Sequence, residues 1–330
     1  MKAIAIEGQG KDARLVPGDA PRPELRAGEL RIAVAATAVN RADLMQRRGL
    51  YPPPPGASPI LGLECAGRVL ELGPGATGFA VGDRVMALLA GGGYAEEACV
   101  DAGSVMPVPA QLSLVEAAAI PEVFLTCHLN LFQLAQVPAG GSALVHGGGS
   151  GIGTAAIQLL REAGVRSIVT AGSAEKCARC LELGADAALD YSKGPFAPAV
   201  LEQTGGAGVD VALDSIGAPY LEQHLACLRV GGRLVLIGLM GGAKAELNLA
   251  MLLMKRLSII GSTLRTRPVA EKAEIVRGFR ARFGEALERG RLRPIVDRVM
   301  PLAEAQAAHD RVESSAHFGK VVLVVREDLK

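Results

Sequence analysis

The chain contains no tryptophan, and aromatic residues make up only 3% of it. A surface for single-stranded nucleic acid needs rings on which bases stack, so this scarcity counts against one. Neither sign of charge dominates, with 35 lysines and arginines against 34 aspartates and glutamates and a formal net charge of +1. That balance gives no electrostatic case for nucleic acid or a membrane surface, and a small neutral ligand is the more natural partner. Cysteine is sparse too. The six, at positions 65, 99, 127, 177, 180 and 227, are scattered through apolar or helical contexts, as reduced interior thiols are. Cys177 and Cys180 form the only close pair, and they lack the second pair or histidine that a zinc or redox site needs. Hydrophobic residues reach 49% and mean hydropathy is +0.28. Even so, the longest uncharged run, Val123 to Leu160, is broken by Pro138 and many glycines and does not read as a membrane span. The opening residues Met1 to Glu7 read as a strand without a signal-peptide pattern, which makes the cytoplasm the expected location.

What is present centres on Ala143 to Ala156: a short apolar strand, the glycine-rich turn Gly147-Gly148-Gly149-Ser150-Gly151-Ile152-Gly153, and a helix start. Glycines let a backbone approach a dinucleotide pyrophosphate, and the N–H groups of the helix start supply partial positive charge. Three adjacent glycines also occur in ordinary loops, so the context decides. Helix, strand, helix and strand follow at 152–163, 166–170, 174–184 and 187–190. Further helices are expected near 198–203 and 219–228, with strands at 209–213 and 233–238. Such alternation predicts α/β architecture, a Rossmann doubly wound parallel sheet. Residues 1 to about 119 instead show short alternating strands between Gly and Pro turns, which predicts a partly open β-barrel. The length of 330 residues is comfortable for two such domains.

The motif Gly62-x-Glu64-x-Ala66-Gly67-x-Val69, followed by Gly73 and Gly82-Asp83-Arg84-Val85, resembles the medium-chain dehydrogenases/reductases, in their zinc-free quinone oxidoreductase branch. The segments Asn40 to Arg47 and Gly238 to Gly242 are similar to the stress-induced NADPH quinone oxidoreductases of that branch. The resemblance covers essentially the whole chain. It implies a GroES-like catalytic domain over 1–121, a Rossmann NADPH-binding domain over 122–292, and a C-terminal return over 293–330 that completes the first. Zinc alcohol dehydrogenases of the same fold hold a catalytic ion on a cysteine, a histidine and a second cysteine. The corresponding places here hold Asn40, Leu63 and Glu122, so no metal is expected.

The same resemblance assigns site residues. Asn40, Tyr51, Thr126, Ser150, Thr263 and Leu264 surround the nicotinamide or the mouth of the site, and Asn40, Tyr51 and Ser150 carry the catalytic expectation. Each has a plainer reading: Asn40 as a strand end, Thr126 bonded to its own helix, Ser150 as a turn residue, Leu264 as core. Gly147, Gly151, Ile152 and Gly153 hold the pyrophosphate. Gly238, Leu239 and Met240 line the nicotinamide end, and Tyr191 matches an adenine-side tyrosine. NAD sites carry an acid about twenty residues beyond the glycine turn. Here the second strand runs out into Gly172 and Ser173 without one, and Lys176 follows one turn into the next helix, which points to the 2′-phosphate of NADPH. Lys320 is a further cofactor candidate, with a surface lysine as its alternative. A sixth, edge strand at 257–263 implies a homodimer, and Pro268 to Arg289 reads as an amphipathic, charge-rich helix expected at the surface. The implied activity is NADPH-dependent reduction of small quinones. Reduction of activated alkenes such as alkenals or enoyl thioesters, or non-catalytic NADPH binding, are the alternatives.

Overall fold

Between residues 142 and 261 the short apolar segments form six parallel strands: β1 (Ser142–His146), β2 (Arg166–Ala171), β3 (Ala187–Asp190), β4 (Val209–Asp214), β5 (Leu228–Leu236) and β6 (Ser258–Gly261). Their spatial order is β3-β2-β1-β4-β5-β6. In β1, Ala143, Leu144 and Val145 are all buried, the continuous apolar run that a strand covered on both faces requires. The order reverses between β1 and β4, and ligands of open α/β sheets bind outside the strand ends at such a point. The structure is a computed structural model, and it describes residues 1–329. Its chain divides into two units, Met1–Leu125 joined by the chain from Leu264 onward, and Thr126–Thr263. Within the second unit, β5 begins five residues before the expected Arg233. Gly231, at φ +78°, lies in that added stretch, and the pairing with β4 shifts register between Val209 and Val211. No helix among the described residues is long and apolar enough to cross a membrane.

The first unit is built on the ten-residue strand Glu29–Ala38, buried almost throughout. One edge pairs antiparallel with Glu64–Leu72. The other is shared, Glu97–Asp101 taking Glu29 to Ala33 and the C-terminal strand Lys320–Val324 taking Ala36 to Ala38. Register shifts at Arg31/Ile32 and Val34/Ala36 let the sheet curl, as bulges do. The result is a GroES-like β domain whose sheet includes the C-terminal strand Lys320–Val324.

The return starts earlier than the expected residue 293, because residues 264–292 belong to the first unit rather than to the nucleotide-binding one. The helix Val269–Glu288 shows why. Far from being only a surface helix, it buries Ile275, Val276, Phe279, Phe283, Ala286 and Leu287. Phe279 packs edge-on against Phe124 with centroids 6.3 Å apart, and the Gln111 amide donates to the carbonyls of Leu287 and Glu288 at the helix end. Its charges mask a full apolar stripe.

Candidate active site

In the second unit, β1 runs into Gly147, whose φ of +72° is left-handed and suits glycine. A Cβ on Gly153 would lie 2.3 Å from the Gly147 carbonyl oxygen and 2.5 Å from Gly148 Cα. One on Gly148 would meet Val169 and the Cys180 sulfur at 2.8 and 2.9 Å. This turn therefore tolerates no side chain at either place, and the free N–H groups of the helix Gly151–Glu162 open beside it. Ser150 is the N-cap: its Oγ accepts the Gly153 N–H at 3.0 Å. Cys180 is thus a packing residue under the turn.

At the far end of the seat, Ser173 caps the helix Ala174–Leu183 by accepting the Lys176 N–H at 3.2 Å. A Cβ on Gly172 would be 2.6 Å from the Tyr191 hydroxyl, so the half-exposed tyrosine lies over the end of β2. The nearest strand-tip acid, Asp190 on β3, is already bonded to the backbone N–H and hydroxyl of Ser192. These features fit a dinucleotide, with a cradle that a Cβ would fill and no carboxylate on the tip of β2. Past β5, Leu239 and Met240 expose their side chains on a turn whose Met240 N–H donates to the Ser215 carbonyl, while Thr263 closes the unit two residues after β6.

Beside this turn lies a cluster that the sequence reading did not foresee. His146 Nδ1 is 2.9 Å from Thr170 Oγ1, and its Nε2 is 2.8 Å from His224 Nε2. Burial pushes both imidazoles down, His224 to about 3, so both are neutral at physiological pH. Asp214 lies close enough to complete a ligand set, yet its oxygens accept the N–H groups of Ile216 and Gly217. Two nitrogens on one tetrahedral zinc would stand roughly 3.3 Å apart, so a 2.8 Å separation is a hydrogen bond.

The first unit holds a buried polar network. Glu64 is 0% and Lys320 4% exposed, and they pair at 2.8 Å. The Lys320 ammonium also donates to Asn40 Oδ1 at 2.6 Å and to the Val39 carbonyl at 2.9 Å. Its three donors are committed, and its burial corrects the reading of Lys320 as a surface lysine. Asn40 is committed as well: Nδ2 donates to Glu64 Oε1 at 2.8 Å and to the Ala38 carbonyl. The Asn40 amide is thus held in place by the network through both of its polar atoms. The zinc ion that alcohol dehydrogenases of this fold hold does not fit here either, because Leu63 cannot ligate and Asn40 and the adjacent Glu64 already hold an ammonium.

Asp43, fully buried, accepts the N–H groups of Asn40 and Gly62, and burial pushes its carboxyl up to about 6. Tyr94 links it to His309, with 3.0 Å from the phenol oxygen to Nε2. Glu122 gives its backbone N–H to Glu64 Oε2 at 2.9 Å. Its own Oε2 is sealed from solvent without a hydrogen-bond partner. Burial, and then the charge of Glu64, push the Glu122 carboxyl up to about 8, against the opposing pull of Lys320 and Lys272. Tyr51 is half-buried, its phenol raised first by burial and then by Glu122. Arg265 lies 5.4 Å from the Tyr51 ring centroid and donates to the carbonyls of Tyr51 and Ala90 and to Gln46 Oε1. Leu264 is buried core, as its plainer reading had it. Thr126 is buried, its carbonyl accepting the Asn130 amide. Sequence reasoning gave no role to Glu64, Glu122, Arg265 or Lys272. The available signal was a carboxylate inside an apolar stretch, at Glu64 and again at Glu122.

Comparison with known proteins agrees with this architecture. Residues 26–110 match the family described as alcohol dehydrogenase GroES-like domain, and residues 151–277 that described as zinc-binding dehydrogenase. The chain is 41% identical over 238 residues to a phenolphthiocerol synthesis polyketide synthase type I of Mycobacterium bovis. That match covers 71% of this chain but only 11% of the synthase's length. A quinone oxidoreductase of Rattus norvegicus is 30% identical over 328 residues, 98% of each chain. A 2-haloacrylate reductase of a Burkholderia species is 34% identical over 307 residues, 90% of this chain and 91% of its own. Mycobacterial Rv1454c, solved complexed with NADPH, superimposes with a TM-score of 0.86 at 32% identity, covering 98% of this chain and all of its own. A glycine cradle on a doubly wound sheet, a GroES-like domain closed by the C-terminal strand, and near full-length relatives together show that the chain belongs to the medium-chain dehydrogenase/reductase superfamily, in its quinone oxidoreductase branch.

Proposed function

We propose that this chain is a zinc-independent, NADPH-dependent reductase of small quinones. The observation that carries the reading is the commitment of Asn40 and Glu64 to the Lys320 ammonium. A site whose oxygen donors already hold a protein cation polarises no alcohol or ketone through a metal, so its acceptor must be electrophilic on its own, as quinones are. When bound, the reduced nicotinamide supplies the hydride. The turn Gly147 to Gly153 seats the pyrophosphate, and Gly172, Ser173, Lys176 and Tyr191 form the adenosine end, where the ammonium of Lys176 meets the 2′-phosphate. Tyr51 makes no hydrogen bond through its hydroxyl among the described residues, and Arg265 holds its backbone. It is the group that donates to the oxygen on which charge develops.

Steady-state turnover with a quinone series, an alkenal series, 2-haloacrylate and ethanol tests the assignment. Quinone reduction with NADPH and negligible ethanol oxidation is expected, and failure with every quinone would overturn it. Reduction of activated alkenes is the second reading, favoured by the 34% identity to a 2-haloacrylate reductase. The cofactor preference has its own check in the ratio of kcat/KM for NADPH and NADH. Lys176→Ala should lower that ratio roughly tenfold or more, the size of a charge-assisted phosphate contact.

The functional unit we propose is a homodimer. β6 leaves one edge unpaired, and the exposed side chains of Leu249, Leu253 and Met254 precede it on the helix Leu249–Met254. A second copy presenting the same strand would pair that edge by two-fold symmetry.

A further inference from the structure

Reduction of a quinone or of an activated alkene needs a proton as well as a hydride, and the residues assigned so far supply none from a store shielded from water. We propose that Glu122 is that store: its carboxyl group, with Oε2 sealed and unpartnered, is kept protonated by its surroundings and delivers the proton to the reduced acceptor. This rests on the reductase reading above.

The geometry supports protonation from several directions. A carboxylate oxygen buried without a donor is costly, whereas a protonated carboxyl tolerates the same place far better. Charged and titratable groups face Glu122 from each element around it. They are Glu64 on its strand, Asp43 on the helix Arg41–Arg47, Lys320 on the C-terminal strand, Lys272 on the helix Val269–Glu288, and Tyr51 and Arg265 on the adjoining loops. Of these cations, Lys320 is bonded to Glu64, and Arg265 to Gln46 and two carbonyls, while Lys272 alone pulls on Glu122 without a bond to another side chain among the described residues and is outweighed by burial and the charge of Glu64. No ion pair joins Glu122 to any of these cations among the described residues. The residue remains partly exposed, so the group is sealed at one oxygen without being cut off from a ligand.

The step balances. Hydride transfer brings two electrons to the acceptor and leaves negative charge on the quinone oxygen, or next to the activating group of an alkene. The Glu122 O–H bond breaks, its electron pair stays on the carboxylate, and the proton forms the new O–H or C–H bond. Water then reprotonates Glu122 before the next cycle. A carboxyl that ionises near 8 is suited to this exchange at physiological pH.

The test compares wild-type protein with Glu122→Gln and Glu122→Asp, each first checked for an unchanged thermal melt. In the protein without nucleotide, 13C-glutamate NMR should find one carboxyl titrating near 8 that is missing from Glu122→Gln. NADPH affinity, read by fluorescence, should change by no more than about twofold. With a quinone as acceptor, kcat of Glu122→Gln should fall about 100- to 1,000-fold, and the loss of wild-type rate above pH 8 should disappear. Glu122→Asp should retain part of kcat and keep an alkaline limb. A Glu122 resonance titrating in the ordinary carboxylate range, or wild-type kcat and pH profile in Glu122→Gln, would overturn the proposal and leave the reductase reading intact. A wild-type protein that binds NADPH yet reduces neither quinones nor activated alkenes would overturn both, whatever the NMR titration shows.

Discussion

Removing both members of the Glu64–Lys320 pair should harm the first unit by clearly less than the two single losses added together. At 2.8 Å and an effective dielectric near 20, the gross attraction is on the order of 6 kcal/mol. Taking two such ions out of water costs several kcal/mol each, so the intact pair contributes little net stability. Either partner alone is another matter. Lys320→Met leaves a fully buried carboxylate with only the Asn40 amide and the Glu122 N–H as donors. Glu64→Gln leaves the ammonium among neutral oxygens. Each single change should cost about 3–5 kcal/mol, and the double change clearly less than their sum, with a coupling of about 2 kcal/mol or more. Two units need not unfold together, so the assay has to report locally. Hydrogen exchange of the strands Glu29–Ala38 and Lys320–Val324 under increasing denaturant reads the opening free energy of the first unit. Additive single effects, with coupling below about 0.5 kcal/mol, would refute the reasoning.

Three further outcomes are expected. Gly153→Ala places a methyl against backbone atoms at 2.3–2.5 Å, which the turn accommodates only by opening, so NADPH affinity should fall at least tenfold in a fluorescence titration. Glu122 in the folded chain ionises near 8, well above its ordinary value of 4.5, so the folded state holds the extra proton between these limits. Stability should therefore decline as pH rises through that window, by at most about 1.4 kcal/mol per pH unit from this group, and denaturant titrations of Glu122→Gln should lack that slope. Ile259→Pro removes a ladder donor from β6 and should shift the protein toward monomer in light scattering, while a monomeric wild type would end the dimer reading.

The second unit was legible because its signals are local. Ser142 to His146 is an apolar run that ends in glycines, and Ala174 to Leu183 carries Ser173 as its cap and Gly184 as its stop. The helix Val269–Glu288 was legible as amphipathic, but every turn of it carries charge, so the depth at which Phe279 and Phe283 are buried shows only when they are seen packed. The burial of Lys320 against Asn40 was hidden from the sequence for a related reason. Nothing near either residue in the sequence announces that they meet, and a lysine is ordinarily solvated. Glu122 lies on a short helix whose other residues are mostly apolar, where its carboxylate stands out, but its unpartnered oxygen is visible only in three dimensions.

The pairing of the C-terminal strand with Glu29–Ala38 also sets an order of events during synthesis. Asn40 and Lys320 are 280 residues apart in sequence. At about 5–20 residues per second, a ribosome needs roughly 14–56 s to travel from one to the other. Throughout that interval Glu64 has no counter-charge and the strand Glu29–Ala38 has part of one edge unfilled. Thr126–Thr263, whose strands all lie within one stretch of chain, emerges whole in the meantime. The nascent nucleotide-binding unit should thus resist protease before the GroES-like unit does. Ribosome-bound chains stalled before Lys320 has emerged should be cleaved in the first 125 residues while 126–263 survives, and equal resistance of both segments would argue that the first unit closes without its last strand.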